Sequence, residues 1–303
     1  MKNRTLIVVA GPTAVGKTAL SIRLAQQFGT SIISADSRQC YREMQIGTAK
    51  PSAKELAMVP HYFINTHSIH ESINAADFEQ LALGYLDEIF SKANVAVLCG
   101  GTGLYIKALC EGIDEMPNVD PEIEKEVKAD FEKNGLAWLQ AKTAAIDAVF
   151  YAQAEQQNPV RLIRGLSFYL SNNISITAFQ KRAPKIRNFD VIKIGLDLPR
   201  SVLYQRINDR VDQMMQAGLM EEVNLLYPHR AIKNLQTVGY AEFYEVGAFP
   251  LNPEQITVAV EKVKQHTRNY AKRQLTWFRK DKDYIWFAPD EFDAVLKHIA
   301  CKL

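Results

Sequence analysis

The run Gly11-Pro12-Thr13-Ala14-Val15-Gly16-Lys17-Thr18 fits the spacing G-x-x-x-x-G-K-[ST], and each position has a use in holding phosphate. Gly11 and Gly16 lack a Cβ, so the chain can turn tightly and aim backbone N–H groups at an anion. Lys17 supplies a cation for the terminal phosphates, and the Thr18 hydroxyl can ligate Mg2+. Asp36 opens Asp36-Ser37-Arg38-Gln39-Cys40-Tyr41, just past a short apolar run. A carboxylate there can cap a turn, hold magnesium through water, or act as a general base. Small-molecule kinases with a phosphate loop also use such a carboxylate, so Asp36 alone does not select the reaction. Thr102 lies in Gly100-Gly101-Thr102-Gly103-Leu104-Tyr105, where it can cap a helix between glycines that permit close packing. Arg206 and Arg210 are four apart and Arg161 and Arg164 three apart, so each pair shares one face of a helix. Arg210 could neutralise a leaving diphosphate, or pair with Asp209 or Asp212. Arg161 and Arg164 could grip successive phosphates of a polynucleotide, or form a solvated face.

The elements that must position these groups are legible around them. Thr5 to Ala10 is apolar or β-branched throughout, the pattern of a strand buried on both faces. Leu20, Leu24 and Phe28 recur every four residues across Ala19 to Phe28. A helix therefore comes after the glycine loop, with its positive N-terminal end toward the same anion. Ser31 to Ser34 reads as a second strand, which puts Asp36 beyond its carboxyl end, where open α/β sheets bind ligands. Gly47 to Pro60 reads as a connection with a short helical middle, and Pro60 to Ile69 as extended chain. Phe78, Leu81, Leu86, Ile89 and Phe90 give Asp77 to Lys92 a helical face, capped by Asn74 or Asp77. Val95 to Cys99 is another buried strand, entering the Thr102 turn.

From Gly112 to Lys185 strand signals nearly vanish. Trp138, Leu139, Ile146, Phe150, Leu162, Leu166 and Tyr169 supply helical apolar faces between Pro117, Pro121, Pro159 and Pro184. Phe189 to Leu198 returns to strand, and Arg200 to Tyr227 is helical with an interruption at Gly218. Pro253 to Arg279 is a long helix, Asp283 to Phe287 a last strand and Glu291 to Cys301 a last helix. The predicted organisation is an α/β fold of the P-loop NTPase-like kind, a parallel sheet flanked by helices. Residues 1–111 and 186–303 form this core, and 112–185 an inserted, mobile, all-helical subdomain.

Lys and Arg total 36 against 34 Asp and Glu, so the net charge of +2 by itself implies no nucleic acid. No apolar run reaches membrane-spanning length, and Met1-Lys2-Asn3-Arg4 leads straight into the first strand. The expectation is a cytoplasmic protein with no membrane partner. Cys40, Cys99, Cys110 and Cys301 are scattered without a C-x-x-C pair, which argues for a reducing compartment and against a zinc site. The charge distribution says more than its sum: Lys262 to Lys282 is locally basic, and Arg268 to Lys280 interleaves cations with Tyr270, Trp277 and Phe278. Cations there suit backbone phosphate, while Trp277 and Phe278 read as core before base platforms. The strand ending in Cys99 carries no acid for magnesium, which weighs against a nucleotide hydrolase.

Taken jointly, GPTAVGKT, ISADSRQCYREMQIGTAKP, GGTGLY, NPVRLIRGL, LYQRINDRVDQMMQAGLMEEV, TVGYAEF and TRNYAKRQLTWFRK, in this order from Gly11 to Lys280, resemble the bacterial tRNA dimethylallyltransferases, also called tRNA isopentenyltransferases. The resemblance implies transfer of a prenyl group from dimethylallyl diphosphate to N6 of the adenosine 3′ to the anticodon. It implies that the loop Gly11 to Thr18 holds the donor's diphosphate, and that Asp36 is the general base. Lys17, Thr18, Mg2+ and Arg210 would stabilise the leaving group, with Thr102 in the catalytic set. Asp36, Ser37, Arg38, Gln39 and Thr102 match positions that contact tRNA. In the helical insertion Val160, Arg161, Leu162, Ile163 and Arg164 would meet the anticodon stem-loop. A monomer is expected.

Three departures touch RNA contacts and leave the diphosphate chemistry alone. Val160 stands where many bacterial members have Gln, Gln236 where some have Arg, and Asn172-Asn173 where Thr-Gly is frequent. The lack of paired cysteines fits a bacterial or organellar member without a zinc finger. Two other readings compete. A phosphate-loop kinase of small metabolites explains the loop, Asp36 and magnesium, but not the basic stretch or the insertion. An RNA-binding module with a nucleotide switch explains the basic helix, but not a carboxylate aimed at the loop. If Arg161 and Arg164 grip phosphates, Arg161→Ala with Arg164→Ala weakens tRNA binding and lowers the slope of log affinity against log salt by about 1.5. Fluorescence-anisotropy titrations at several salt concentrations measure that slope; an unchanged slope makes these arginines a solvated face.

Overall fold

A computed structural model describes residues 4–114, 116–179 and 184–303. Residues 1–3 and 180–183, on which parts of the N-terminal and insertion readings fall, lie outside the described residues. The chain divides into two compact units, Met1–Gly112 with Ile186–Leu303, and Ile113–Lys185.

The first unit is built on β1 (Thr5–Ala10), buried at every position. The helix after the glycine loop, α1 (Lys17–Phe28), begins at Lys17 rather than Ala19. Gly16 takes a φ of 114° as its N-cap and lets the helix start directly from the loop. Gly29 ends it at φ 58°. Then come β2 (Ile32–Ser34), α2 (Ala53–Met58), β3 (His61–Tyr62), α3 (Ala75–Phe90), β4 (Val95–Gly100) and α4 (Gly103–Glu111). Reciprocal capping boxes start α2, through Ser52 and Glu55, and α3, through Asn74 and Asp77.

The expected extended run from Pro60 to Ile69 shrinks to two strand residues. Phe63 and Asn65 adopt φ of 63° and 56° and turn the chain away from the sheet. It then runs along the segment after Asp36: the Asn65 amide donates to the Gln39 carbonyl at 3.2 Å and the His67 amide to Cys40 at 2.9 Å.

The second unit contains α5 (Pro121–Ile146), bent at Gly135 where φ is 75°, then α6 (Ala148–Gln153) and α7 (Pro159–Asn172). Its core joins Val127, Leu139, Leu162, Ile163 and Leu166, with Phe131, Trp138 and Phe150 packed against them. The chain returns to the first unit through β5 (Asp190–Leu196), α8 (Arg200–Gln216) and α9 (Leu219–Leu226). Gly218, at φ 98°, separates these two helices. A short α10 (Ala241–Glu245), not expected from the sequence, precedes α11 (Pro253–Phe278), β6 (Ile285–Phe287) and α12 (Phe292–Ala300).

All six strands pair in parallel, in the order β3-β2-β4-β1-β5-β6. The chain first builds to one side of β1 and then to the other, so β1 lies at the switch point of the sheet. The register puts Ala10 opposite both Gly100 and Gly195, and Ser34 opposite Cys99. Four strands therefore end at one edge, and the loops beyond them converge there. Ile7, Val9, Leu24, Ile194, Ile207 and Val295 form the core against α1, α8 and α12, which fixes that edge. Among the described residues no helix is long and apolar enough to cross a membrane.

Leu139 is fully buried at the centre of the helical unit. Leu139→Ala is expected to destabilise that unit by ~2–5 kcal/mol, because packed surroundings only partly collapse onto the space left. Denaturant unfolding of the full chain, tracked by amide exchange in 116–179, reads this loss.

Candidate active site

The glycine loop is held open by close contacts that exclude side chains. A Cβ on Gly11 would lie 2.6 Å from the Leu196 carbonyl oxygen, and one on Gly16 would lie 3.2 Å from Pro289. Both glycines have positive φ, 151° and 114°, as does Ala14 at 65°. Lys17 Nζ donates to the Pro12 carbonyl at 2.8 Å, folding over the loop it serves. Burial lowers its pKa to about 8, with Arg210 adding to the fall and Asp36 opposing it. An anion in the loop favours the charged ammonium and reverses that cost. Two loop amides are already committed: Thr13 N–H donates to Gln274 Oε1 at 2.8 Å and Val15 N–H to the Pro12 carbonyl at 3.4 Å.

Across the same sheet edge, Asp36 Oδ1 accepts from the amides of Arg38 at 2.9 Å and Gln39 at 3.4 Å. The turn-capping role is therefore real, and it uses one oxygen. Oδ2 has no hydrogen bond among the described residues. Thr102 stands at the N-cap position of α4, yet its hydroxyl makes no capping bond. It accepts instead from Ser37 N at 3.1 Å, while its own amide donates to the Ala35 carbonyl at 3.1 Å. A Cβ on Gly100 would come within 2.2 Å of that same Ala35 oxygen. The Asp36 turn and the Thr102 turn are thus one stitched surface. Tyr270 adjoins it: burial and the Asp36 charge push its phenol up to about 12, and neighbouring Thr102 opposes the rise.

Gln39 is occupied inside the protein. Its Nε2 donates to the carbonyls of Thr48 and Ala49 at 3.3 and 3.2 Å, and its Oε1 accepts from Ser34 Oγ at 3.2 Å. It supports the loop with groups an RNA contact would need. Glu222, on α9, anchors the far end of that loop. Its carboxylate accepts from the amides of Gln45, Ile46 and Gly47, each at 2.9–3.1 Å, and from Tyr240 Oη at 2.6 Å.

The arginines on α8 divide their work. Arg206 Nη1 donates to the Val15 carbonyl at 3.3 Å, a direct contact with the glycine loop. Arg210 makes no ion pair among the described residues, and the acids that could have taken it are engaged. Asp212 pairs with Lys264 at 2.8 Å and Asp209 accepts from Gln205 at 2.7 Å. Burial lowers the Arg210 pKa, Glu55 opposes this and Arg206 adds to it.

In the helical unit Val160, Arg161 and Arg164 are exposed, and Arg161 lies 3.8 Å from Glu155. Leu162 and Ile163 are not RNA-facing side chains: they are 0% and 9% exposed in the unit's core, as their spacing on an amphipathic helix requires. The expectation for α11 also needs correction. Phe278 is buried, but Trp277 is 43% exposed, and its indole lies where a Cβ on Gly103 would be, 2.1 Å from Nε1. The basic stretch is partly self-neutralised, Lys264 by Asp212 and Glu261, and Arg279 by Asp197. A cavity of about 700 Å3 past the ends of β5 and β6, walled by Arg200, Tyr204, Lys272 and Trp286, includes none of the predicted site residues.

A parallel sheet with a G-x-x-x-x-G-K-T loop after β1, and a carboxylate past β2, one strand further along the same edge, defines a protein of the phosphate-loop α/β class. The sequence model of the IPP transferase family matches residues 39–281, and the chain belongs to that family. A relative from Christiangramia forsetii, named tRNA dimethylallyltransferase, is 46% identical over 97% of this chain and 95% of its own. The solved full-length tRNA isopentenylpyrophosphate transferase of Bacillus halodurans is 35% identical, with a TM-score of 0.72 over 99% of this chain and 96% of its own. A eukaryotic dimethylallyltransferase solved acting on tRNA shares the fold at 24% identity, with a TM-score of 0.75 over 96% of this chain and 75% of its own.

Lys17→Ala removes the one ammonium folded over the loop. It is expected to weaken binding of inorganic diphosphate by about a hundredfold or more, in the range of 3 kcal/mol for a buried charge-assisted contact. Isothermal calorimetry with diphosphate reads this; a change confined to tRNA affinity assigns the loop another ligand.

Proposed function

We propose that this protein transfers the dimethylallyl group of dimethylallyl diphosphate to N6 of the adenosine 3′-adjacent to the anticodon of tRNA, releasing diphosphate. The observation that carries the reading is the facing of the Lys17 loop and the Asp36–Thr102 surface across one sheet edge, in a member of the IPP transferase family. The N6 lone pair attacks the allylic carbon. The carbon–oxygen bond to diphosphate breaks, its electron pair leaves on the diphosphate, and the N6 proton passes to Asp36. Oδ2 is the oxygen for that proton, since Oδ1 is occupied by two amides. Lys17, the remaining loop amides and Arg210 stabilise the departing charge. Losing one such contact raises the barrier by ~3 kcal/mol, about a hundredfold in rate.

Mg2+ fits the donor set. Thr18 offers a hard hydroxyl oxygen, and a cavity of about 20 Å3 opens beside it, Ser34 and Gln39. Mg2+ takes hard oxygen ligands and is commonly bound through few protein groups together with substrate phosphates. Thr18 would hold it, and bound there it would neutralise diphosphate charge.

The acceptor base must leave the anticodon-loop stack to meet Asp36. Ser37, Arg38 and Thr102 line the approach, and Arg161 and Arg164 of the helical unit grip the anticodon stem. The family resemblance suggests a monomer, and the free cysteines support a reducing cytoplasm. The kinase alternative is not favoured: it leaves the helical unit without a role, and the relatives are named as tRNA dimethylallyltransferases.

A two-donor assay tests the reading. Unmodified tRNA reading codons that begin with U is offered labelled dimethylallyl diphosphate or γ-labelled ATP, with Mg2+. Label is expected to pass from the prenyl donor to tRNA adenosine, whereas label passing only from ATP makes the protein a kinase. Asp36→Ala should bind both substrates near normally and turn over about 10²–10⁴-fold more slowly, the range for a lost general base.

A further inference from the structure

The inner face of α11 runs along the active-site turns. Tyr270, Gln274 and Trp277, at spacings of four and three, meet Thr102, Gly101 and Gly103 in that order. Gln274 does something the others do not. Its Oε1 accepts from Thr13 N at 2.8 Å, and its Nε2 donates to the Gly101 carbonyl at 3.0 Å. One side chain amide therefore links the donor loop after β1 to the acceptor turn after β4. It is 5% exposed, so water does not compete for either bond. Gly101 makes room for it: a Cβ there would lie 2.1 Å from Gln274 Nε2, and Gly11 O is at 3.7 Å.

We propose that Gln274 is a positioning residue that sets the register between the diphosphate loop and the Thr102–Asp36 surface. This rests on the transferase reading above. In that reading the allylic carbon hangs from a diphosphate fixed by one loop, and the attacking amine is oriented by the other. Neither loop is joined to the other by the sheet alone at this point, since both have left their strands. A shift of about 1 Å between them costs on the order of a hundredfold in rate without removing any substrate contact.

The signature is a split between binding and chemistry. Gln274→Met keeps the volume and removes both bonds. It is expected to fold, to bind inorganic diphosphate and tRNA within about threefold of wild type, and to slow single-turnover prenyl transfer at least tenfold. Gly101→Ala attacks the same link from its other end and needs no forbidden backbone, because Gly101 does not have positive φ. It should give a similar loss, and the double variant should be no slower than the worse single one, as expected for two changes that break one link. Transfer within threefold of wild type in a folded Gln274→Met overturns the proposal. So does a loss matched by weaker diphosphate binding, or additive losses in the double variant. A wild-type protein that moves no prenyl group at all instead defeats the transferase reading, and the two failures are thereby distinct.

Discussion

The close approach of Gly100 to the Ala35 carbonyl is the contact on which the site depends. Parallel strands β2 and β4 deliver their ends side by side, but pairing alone does not order the turns beyond those ends. The absent Cβ lets the Thr102 amide reach the Ala35 oxygen, and the Thr102 hydroxyl then takes the Ser37 amide. Asp36 sits inside this stitch with one oxygen tied to the turn and the other without a hydrogen bond among the described residues. Any residue larger than glycine at that point would separate the two turns and move the carboxylate.

Opposite this surface the glycine loop is electrostatically incomplete. A buried Lys17 bonded to a carbonyl, with Arg206 on the loop backbone and Arg210 behind it, makes a pocket of cations faced at longer range by Asp36 and Glu55. Such an arrangement costs free energy until an anion enters, so binding and charge relief are one event. In the proposed reaction one field would serve both the donor's diphosphate and the same group as it leaves, which joins recognition to chemistry.

Most of the frame is legible in the sequence because it rests on local pattern. The buried run at Thr5, the four-residue spacing of Leu20, Leu24 and Phe28, and the break at Gly218 each point to the observed element to within a residue or two. The features that escape depend on partners remote in sequence. Thr102 reads as a cap, but its hydroxyl goes to Ser37, 65 residues away. Pro60 to Ile69 reads as extended, but it is bent onto the Gln39–Cys40 backbone. Leu162 and Ile163 share a motif with their arginine neighbours, whereas helical periodicity assigns them to the core. Gln274 lies inside a stretch whose charge masks it; a polar residue among inward-facing positions 270, 271, 274 and 278 is the available signal.

The link between Thr13 and Gln274 spans 261 residues, and β5, which closes the second side of β1, also belongs to the later half of the chain. At about 5–20 residues per second, the glycine loop leaves the ribosome roughly 13–50 s before the side chain that fixes it. Until β5 is made the central strand has one open edge, and until Gln274 is made the loop lacks this link. The nascent chain therefore lacks the Thr13–Gln274 link until its last long helix is made. For this architecture, synthesis order puts α11 late in assembly, with β6 and α12 still to follow.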